Sequence, residues 1–280
     1  MPLPDDVLRQ RLAEQQWTAH NIRLTQDIVT RPGEPDFMET DLRLRAILRA
    51  LTLLYRNRLA GLSVADLGCL EGGFSLALAQ RGMNVLGIEA RRKNLLKALL
   101  LKEHFGLTNL ELLCDDVKNF TRERRAVFDV TLALGILYHL DQPVAWLRQV
   151  AEATRGVLVI DSHYAPADEA ALALIDPRLR QLGPLKQMED RGSIYEGRWF
   201  FEYGAEADVE SQLWASYSNR SSFWLTKESL LRSLSRAGFD LVLEQHDFSA
   251  DFYKHFTVTY PRGMFLAIKS SGFISRGERQ

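Results

Sequence analysis

The segment Val64–Ser75, with the sequence VADLGCLEGGFS, constrains the fold of this chain more than any other stretch. An apolar run with one internal carboxylate, Asp66, leads into a glycine-rich turn, and a helix-like stretch follows and stops before Gly82. Open α/β sheets bind nucleotide-like ligands at this junction, outside the carboxyl ends of their strands. The segment therefore predicts an α/β sheet with a ligand site after its first strand.

Two further acids follow predicted strands. Glu89 ends the strand expected at 84–88, and Asp116 follows the strand expected at 109–113. An acid roughly 20 residues beyond a glycine turn is well placed to accept hydrogen bonds from ribose hydroxyls. Acids at the ends of three consecutive strands indicate a binding site rather than three unrelated turns.

The glycine turn resembles the first motif of the class I S-adenosylmethionine-dependent methyltransferases, acid-x-Gly-x-Gly-x-Gly. Asp66, Gly68 and Gly72 match this motif, and Leu70 stands where the family has its middle glycine. A dinucleotide-binding loop needs that glycine for the approach of a pyrophosphate, whereas S-adenosylmethionine carries no phosphate. The resemblance implies S-adenosylmethionine as cofactor and S-adenosylhomocysteine as product. A nicotinamide or flavin enzyme is the alternative.

The resemblance also implies roles for individual residues. Glu89 would bind the ribose, Asp116 (or its neighbour Asp115) the adenine amino group, and Val117 would pack on the ring. The acids could instead cap local turns, which aspartates do readily. The full set of expected cofactor-binding residues is Asp66, Gly68, Cys69, Leu70, Gly72, Glu89, Ala90, Asp116, Val117, Leu134 and Gly135.

The segment from Leu137 to Pro143 resembles the Leu-Tyr-His-Leu-x-x-Pro pattern of small-molecule and some tRNA-modifying methyltransferases. An enzyme that transfers a sulfonium methyl group mainly aligns the nucleophile and removes its proton. A histidine, with an ordinary pKa near ~6.5, can accept that proton, so His139 is the first candidate for a catalytic base. His163, after the fifth predicted strand, is the second candidate. Either histidine could instead cap a helix or pack in the core.

The pattern of apolar runs predicts a Rossmann-like, doubly wound α/β sheet of seven strands. Strands are expected at 63–67, 84–88, 109–113, 127–133, 156–161, 239–244 and 263–269, with the last one antiparallel by family resemblance. Helices are expected at 74–81, 91–105 and 142–154, the last with Asp141 as its N-cap. A further helix is expected to run to Ala237 with Thr226 as its N-cap. The expected organisation is an N-terminal helical segment over the cofactor site (1–60), a methyltransferase domain (61–269) and a tail (270–280).

Residues 164–222 interrupt the pattern as an insertion after the fifth strand, and they are rich in aromatic and charged residues. Small-molecule pockets combine aromatic faces with a few directed polar groups, so this insertion is expected to act as a lid or to build the acceptor site. An aromatic mini-core or a dimer contact is the alternative. The expected substrate-binding residues are Tyr138, Arg198, Trp199, Tyr203, Tyr217 and Asn219.

Composition narrows the class of protein. The net charge is −1, and the two cysteines, Cys69 and Cys114, lie in no metal-ligand pattern, so neither a metal site nor a disulfide framework is expected. The chain has no apolar run long enough for a membrane span and no apolar signal core, which favours a cytoplasmic enzyme.

The expected function is methylation of a small molecule at an oxygen, nitrogen or carbon atom. The sequence leaves the oligomeric state open, with a homodimer as one option. One alternative is a tRNA-modifying methyltransferase, since basic residues cluster at 91–102, although the simpler interpretation of that cluster is a solvated helix face. A non-catalytic binding module on the same scaffold is the other alternative.

Overall fold

The computed structural model describes residues 2–174, 179, 181–247 and 261–273. The predicted tail therefore lies mostly outside the described residues. The chain divides into two compact units, Met1–Val117 and Lys118–Gln280. Within the described residues, no helix has both the length and the apolar character needed to cross a membrane.

The first unit holds three parallel strands and four helices. Its helices are α1 (Asp5–Ala13), α2 (Leu42–Leu54), α3 (Gly73–Ala79) and α4 (Arg92–Phe105), and its strands are β1 (Ser63–Leu67), β2 (Asn84–Glu89) and β3 (Leu110–Cys114). β2 pairs in parallel with both β1 and β3. The predicted N-terminal helices exist as α1 and α2, but most of the chain between them is a loop with isolated bridges such as Arg23 to Val29.

The second unit continues the alternation and then departs from it. Its helices are α5 (Pro143–Glu152), α6 (Glu169–Leu174) and α7 (Lys227–Arg236). Its strands are β4 (Phe128–Leu134), β5 (Thr154–His163), β6 (Leu182–Asp190), β7 (Ser193–Phe201), β8 (Ser221–Leu225), β9 (Leu241–Glu244) and β10 (Arg262–Ile268).

The main sheet has seven strands in the order β3-β2-β1-β4-β5-β10-β9. β10, the last strand in the chain, runs antiparallel to both β5 and β9. The predicted fold class is therefore confirmed, and each of the seven predicted strands overlaps an observed one. The strands β1, β4, β5 and β10 are apolar and almost wholly buried, as expected for strands covered on both faces. The edge strands β3 and β9 are mostly half-buried or exposed.

The insertion forms a second, antiparallel sheet in the order β6-β7-β8, which the sequence pattern did not predict. β6 reads LGPLKQMED, and most of its residues are exposed or half-buried, so it lacks the clean alternation that marks a strand. Among the described residues of 165–182, α6 supplies the partly helical character that the sequence suggests for this segment. β8 also extends past the predicted end of the insertion at residue 222.

The predicted caps had mixed outcomes. Thr226 caps α7 as predicted, because its side chain accepts a hydrogen bond from the Ser229 backbone. The prediction that Asp141 caps α5 is wrong. Gln142 precedes that helix, and the Asp141 carboxylate instead lies 2.7 Å from Lys118 Nζ.

Candidate active site

The glycine turn after β1 has three alternating residues in the left-handed backbone region. The φ angles are 72° at Gly68, 53° at Leu70 and 81° at Gly72. A non-glycine residue pays roughly 1–2 kcal/mol for this conformation. Leu70 therefore replaces the family's middle glycine in sequence but keeps a conformation that glycine favours.

Gly72 is constrained by packing within the first unit. A Cβ atom there would lie 2.7 Å from the Cβ of Ala98 on α4, well inside van der Waals contact. The positive φ angle adds a second penalty for any side chain. Contact with α4 therefore explains this glycine without reference to a ligand.

Glu89 ends β2 and holds the turn from the adjacent strand. Its Oε2 accepts a hydrogen bond from the Leu70 amide at 3.0 Å, and its Oε1 accepts one from the Arg91 amide at 2.9 Å. Burial raises the pKa of Glu89, although these two bonds favour the charged form. A carboxylate has about four lone-pair sites, so Glu89 keeps the capacity to accept bonds from two ribose hydroxyls.

Asp66 lies inside β1 and faces the start of α3. Its carboxylate accepts a 2.6 Å hydrogen bond from the Ser75 hydroxyl, and burial raises its pKa to about 6. Burial also raises the pKa of the nearby Cys69 thiol well above its usual range, which keeps that thiol protonated. Asp66 therefore ties the strand before the turn to the helix after it.

The two acids after β3 differ in their contacts. The Asp115 carboxylate accepts a hydrogen bond from the Asp116 amide at 2.9 Å, which is the local capping role considered for this pair. The carbonyl of Ala90, next to Glu89, accepts a weak hydrogen bond from the Cys114 thiol at 3.6 Å. Val117 is buried and begins a short 3-10 turn. The adenine-binding role of Asp116 and Val117 stays a prediction.

Glu71, a residue that sequence reasoning missed, anchors the N-terminal segment to the glycine turn. Its fully buried carboxylate accepts hydrogen bonds from the Thr18 amide (2.7 Å), the Ala19 amide (3.1 Å) and the His20 amide (2.9 Å). Lys97 Nζ on α4 lies 2.8 Å away. Burial alone would raise the pKa of Glu71, but these donors outweigh it and the pKa is lowered.

This pairing corrects the interpretation of the basic cluster on α4. Arg91 and Lys97 are both buried, so they do not belong to a solvated helix face. The charge of Lys97 neutralises that of Glu71 inside the protein. Fewer basic residues of the cluster are therefore available to bind the phosphates of a nucleic acid.

His20 adds a second link between the N-terminal segment and α3. Its Nδ1 accepts a hydrogen bond from the Gly73 amide at 3.1 Å, and burial lowers its pKa to about 4. The imidazole is therefore neutral at physiological pH. Within the first unit, residues 18–20 lie against the turn that the sequence assigns to the cofactor.

In the second unit, His139 is paired with a carboxylate that the sequence did not reveal. His139 lies in the 3-10 turn after β4, and its Nδ1 is 2.9 Å from Oε1 of Glu202. Glu202 also accepts hydrogen bonds from the Ser222 hydroxyl at 2.7 Å and the Ser216 amide at 3.2 Å. Glu202 belongs to the insertion and to no recognisable motif, so only the folded chain brings the pair together.

His163 lies at the end of β5 in a different environment. Its Nδ1 is 3.2 Å from the carbonyl oxygen of Pro261, and its ring stacks on Trp224 with centroids 5.0 Å apart. Burial, and then the charge of Arg262, lower the pKa of His163 to about 3. A histidine this weakly basic is a poor proton acceptor at neutral pH, which favours His139 over His163 as the base.

Tyr138 lies beside both histidines. Its ring centroid is 4.2 Å from that of His139 and 4.7 Å from that of His163. Gly135, which follows Leu134 at the end of β4, has a φ angle of 77°, and a Cβ there would lie 3.5 Å from the Tyr138 hydroxyl. Leu134, Gly135 and Tyr138 therefore belong to one cluster at the carboxyl end of β4.

Arg198 was expected to bind substrate, but the structure places it inside the insertion. Its side chain is fully buried, with hydrogen bonds to Glu169 Oε1 (2.8 Å), the Pro166 carbonyl (2.8 Å) and the Gly183 carbonyl (3.1 Å). These contacts support the mini-core alternative for Arg198, because its donors are used within the protein.

The remaining substrate candidates divide between exposed aromatics and internal contacts. Trp199 and Tyr217 are exposed, and the Tyr203 hydroxyl donates to the Tyr217 carbonyl at 3.3 Å. Asn219 Nδ2 donates to the His139 carbonyl at 3.0 Å. The insertion therefore supports the backbone of the His139 turn as well as its side chain.

Comparison with known proteins places this chain in a family. The profile of a methyltransferase domain matches residues 59–246. The tRNA U34 carboxymethyltransferase of Desulfotalea psychrophila is 32% identical over 114 residues, which cover 40% of this chain and 35% of that protein. The ubiquinone biosynthesis O-methyltransferase of Leptothrix cholodnii is 34% identical over 89 residues, which cover 32% of this chain and 38% of that protein. The chain thus spans little more than a third of the length of these relatives.

Solved structures agree with the fold. The N-terminal domain of EvdMO1, crystallised in the presence of S-adenosylhomocysteine and D-fucose, matches with a TM-score of 0.70 at 24% identity, covering 96% of this chain and 98% of that one. The magnesium protoporphyrin IX methyltransferase of Synechocystis, with bound S-adenosylmethionine, matches with a TM-score of 0.50 at 16% identity, covering 86% and 87%. Since the domain profile covers well over half of the sequence, the chain belongs to the methyltransferase domain family.

Proposed function

We propose that this protein transfers a methyl group from S-adenosylmethionine to a small-molecule acceptor. Membership of the methyltransferase domain family supports the reaction class. Glu89 and the turn from Gly68 to Gly72 would hold the donor, with Glu89 accepting bonds from its ribose hydroxyls. The predicted roles of Asp116 and Val117 toward adenine, and of Leu134 and Gly135 toward the methionine portion, complete the donor site.

The observation that carries the proposed mechanism is the 2.9 Å contact between His139 Nδ1 and Glu202 Oε1. In the reaction, a lone pair of the acceptor attacks the methyl carbon while the carbon–sulfur bond breaks and its electron pair stays on sulfur. The acceptor's proton passes to Nε2 of His139. The products are the methylated acceptor, S-adenosylhomocysteine and an imidazolium beside a carboxylate.

A tRNA acceptor is the second candidate, because a tRNA U34 carboxymethyltransferase is among the relatives. The net charge of −1 and the internal pairing of Lys97 with Glu71 favour the small molecule. Proteins that depend on phosphate contacts usually present a basic face.

The two candidates separate in one labelling experiment. Cell extract is incubated with the protein and S-adenosylmethionine bearing a tritiated methyl group, and the small-molecule and tRNA fractions are counted. In a second reaction, the protein is incubated with purified tRNA and a form of S-adenosylmethionine whose transferable methyl group carries a carboxylate. We expect label only in the small-molecule fraction. Label in tRNA, with binding that weakens steeply as salt rises, would support the second candidate instead.

A further inference from the structure

Glu202 is a buried carboxylate that accepts hydrogen bonds from two donors within the insertion and lies against His139. Its side chain is 2% exposed, against 16% for that of His139. The Ser222 hydroxyl and the His139 ring share Oε1, and the Ser216 amide bonds Oε2. An ionised carboxylate carries no hydrogen, so it can only accept hydrogen bonds.

The charge of Glu202 decides which ring nitrogen of His139 carries the proton. An acceptor-only carboxylate 2.9 Å from Nδ1 requires a hydrogen on Nδ1. In the neutral imidazole, Nε2 is then the unprotonated nitrogen that can accept a proton. The second partner of a histidine fixes its tautomer and orientation in this way in many enzyme sites.

The insertion also fixes the backbone that carries His139. Asn219 Nδ2 donates to the His139 carbonyl at 3.0 Å, and the Phe223 amide of β8 donates to the Leu140 carbonyl at 2.8 Å. Asn219 is itself held by the Ser216 hydroxyl, which lies 2.7 Å from its side-chain oxygen. Ring and backbone are therefore held by the same segment, residues 202–223.

We propose that Glu202 is a positioning residue that locks His139 in the Nδ1–H tautomer, so that the insertion prepares the base for its reaction. This inference rests on the proposed function, in which His139 is the base. It gives the insertion a role distinct from acceptor binding. A free imidazole favours the opposite tautomer, with hydrogen on Nε2, so the proposal makes a distinctive spectroscopic claim.

The test is a long-range ¹H–¹⁵N spectrum of the full chain labelled at its histidines and saturated with S-adenosylhomocysteine. The His139 signals are assigned by their loss in His139→Ala. We expect the wild-type protein to show His139 protonated on Nδ1, and Glu202→Gln to shift it toward the Nε2–H form. Ser222→Ala leaves the carboxylate in place and should keep the wild-type tautomer. Glu189→Gln, at an exposed position on β6, serves as the matched control.

A wild-type spectrum with His139 protonated on Nε2 would overturn the proposal, and it does so even if Glu202→Gln fails to fold. Unchanged signals from the other histidines show that a variant is folded, and an unchanged tautomer in folded Glu202→Gln would also overturn it. Because the spectrum needs no acceptor and no turnover, a failure of the proposed function would not by itself produce either result.

Discussion

Substitution of Glu89 by glutamine tests the donor site with the least disturbance of the fold. The carboxylate is 5% exposed and bonds the backbone amides of Leu70 and Arg91. Glutamine keeps the shape but replaces one acceptor oxygen with an NH₂ group. The NH₂ group of the glutamine must face either a backbone amide or a ribose hydroxyl. The substitution also removes the negative charge of the carboxylate.

The expected loss follows from the strength of the bonds concerned. A hydrogen bond to a charged group contributes roughly 1.5–3 kcal/mol, and each 1.4 kcal/mol is about tenfold in affinity. If Glu89 binds the ribose, S-adenosylhomocysteine should therefore bind about ten- to a hundredfold more weakly to Glu89→Gln. The turn itself should lose about 1–3 kcal/mol of stability, because one buried amide loses its partner.

Isothermal titration calorimetry with S-adenosylhomocysteine measures the affinity directly, and thermal unfolding shows whether the variant is folded at the assay temperature. Glu111→Gln is the matched control, since Glu111 is an exposed glutamate on the neighbouring strand β3. We expect its affinity to equal that of the wild type. A folded Glu89→Gln variant that binds with wild-type affinity would refute the assignment of the donor site.

Three further predictions concern the turn and the base. Gly72→Ala should destabilise the protein by about 1–3 kcal/mol in urea unfolding, because the new Cβ would lie 2.7 Å from the Cβ of Ala98. A variant as stable as the wild type would show that α4 can shift to accommodate the methyl group at little cost. The pKa of Asp66 is about 6 in the folded protein against an ordinary value of 3.8, so Asp66 binds more protons folded than unfolded, and its contribution to stability falls as pH rises from about 4 to 6. Asp66→Asn should remove that dependence and gain on the order of 3 kcal/mol at pH 7, whereas an unchanged pH–stability curve would contradict it. His139→Ala should lower turnover by about 10²- to 10⁴-fold with little change in donor affinity, and near wild-type turnover would remove His139 from the mechanism.

The sequence predicted the parts of this protein that depend on local pattern. The run from strand to glycine turn to helix is specified by adjacent residues, and Gly68, Gly82 and Gly106 all adopt positive φ angles, a conformation that glycine favours. The seven strands of the main sheet are short apolar runs bounded by turns, which is a signal that survives without tertiary information.

The interactions that the sequence could not reveal join residues far apart in the chain. Glu202 meets His139 only because β7 and β8 pair, and the polar residues of β6 gave no sign of that sheet. Glu71 resembles any other turn residue until three amides of the N-terminal segment are seen to converge on it. Arginines are rarely fully buried, so the sequence suggested that Arg198 lies at the surface and is available to a substrate. Its complete burial becomes visible only in the folded structure.

The most direct test of the account is a stoichiometric measurement of methyl transfer. The protein is incubated with S-adenosylmethionine carrying a trideuterated methyl group and a fractionated small-molecule extract, and mass spectrometry follows both products. We expect a small molecule to gain one trideuteromethyl group for each S-adenosylhomocysteine formed, and we expect His139→Ala nearly to abolish both products. The absence of any labelled small molecule, or equal yields from wild type and His139→Ala, would contradict the account.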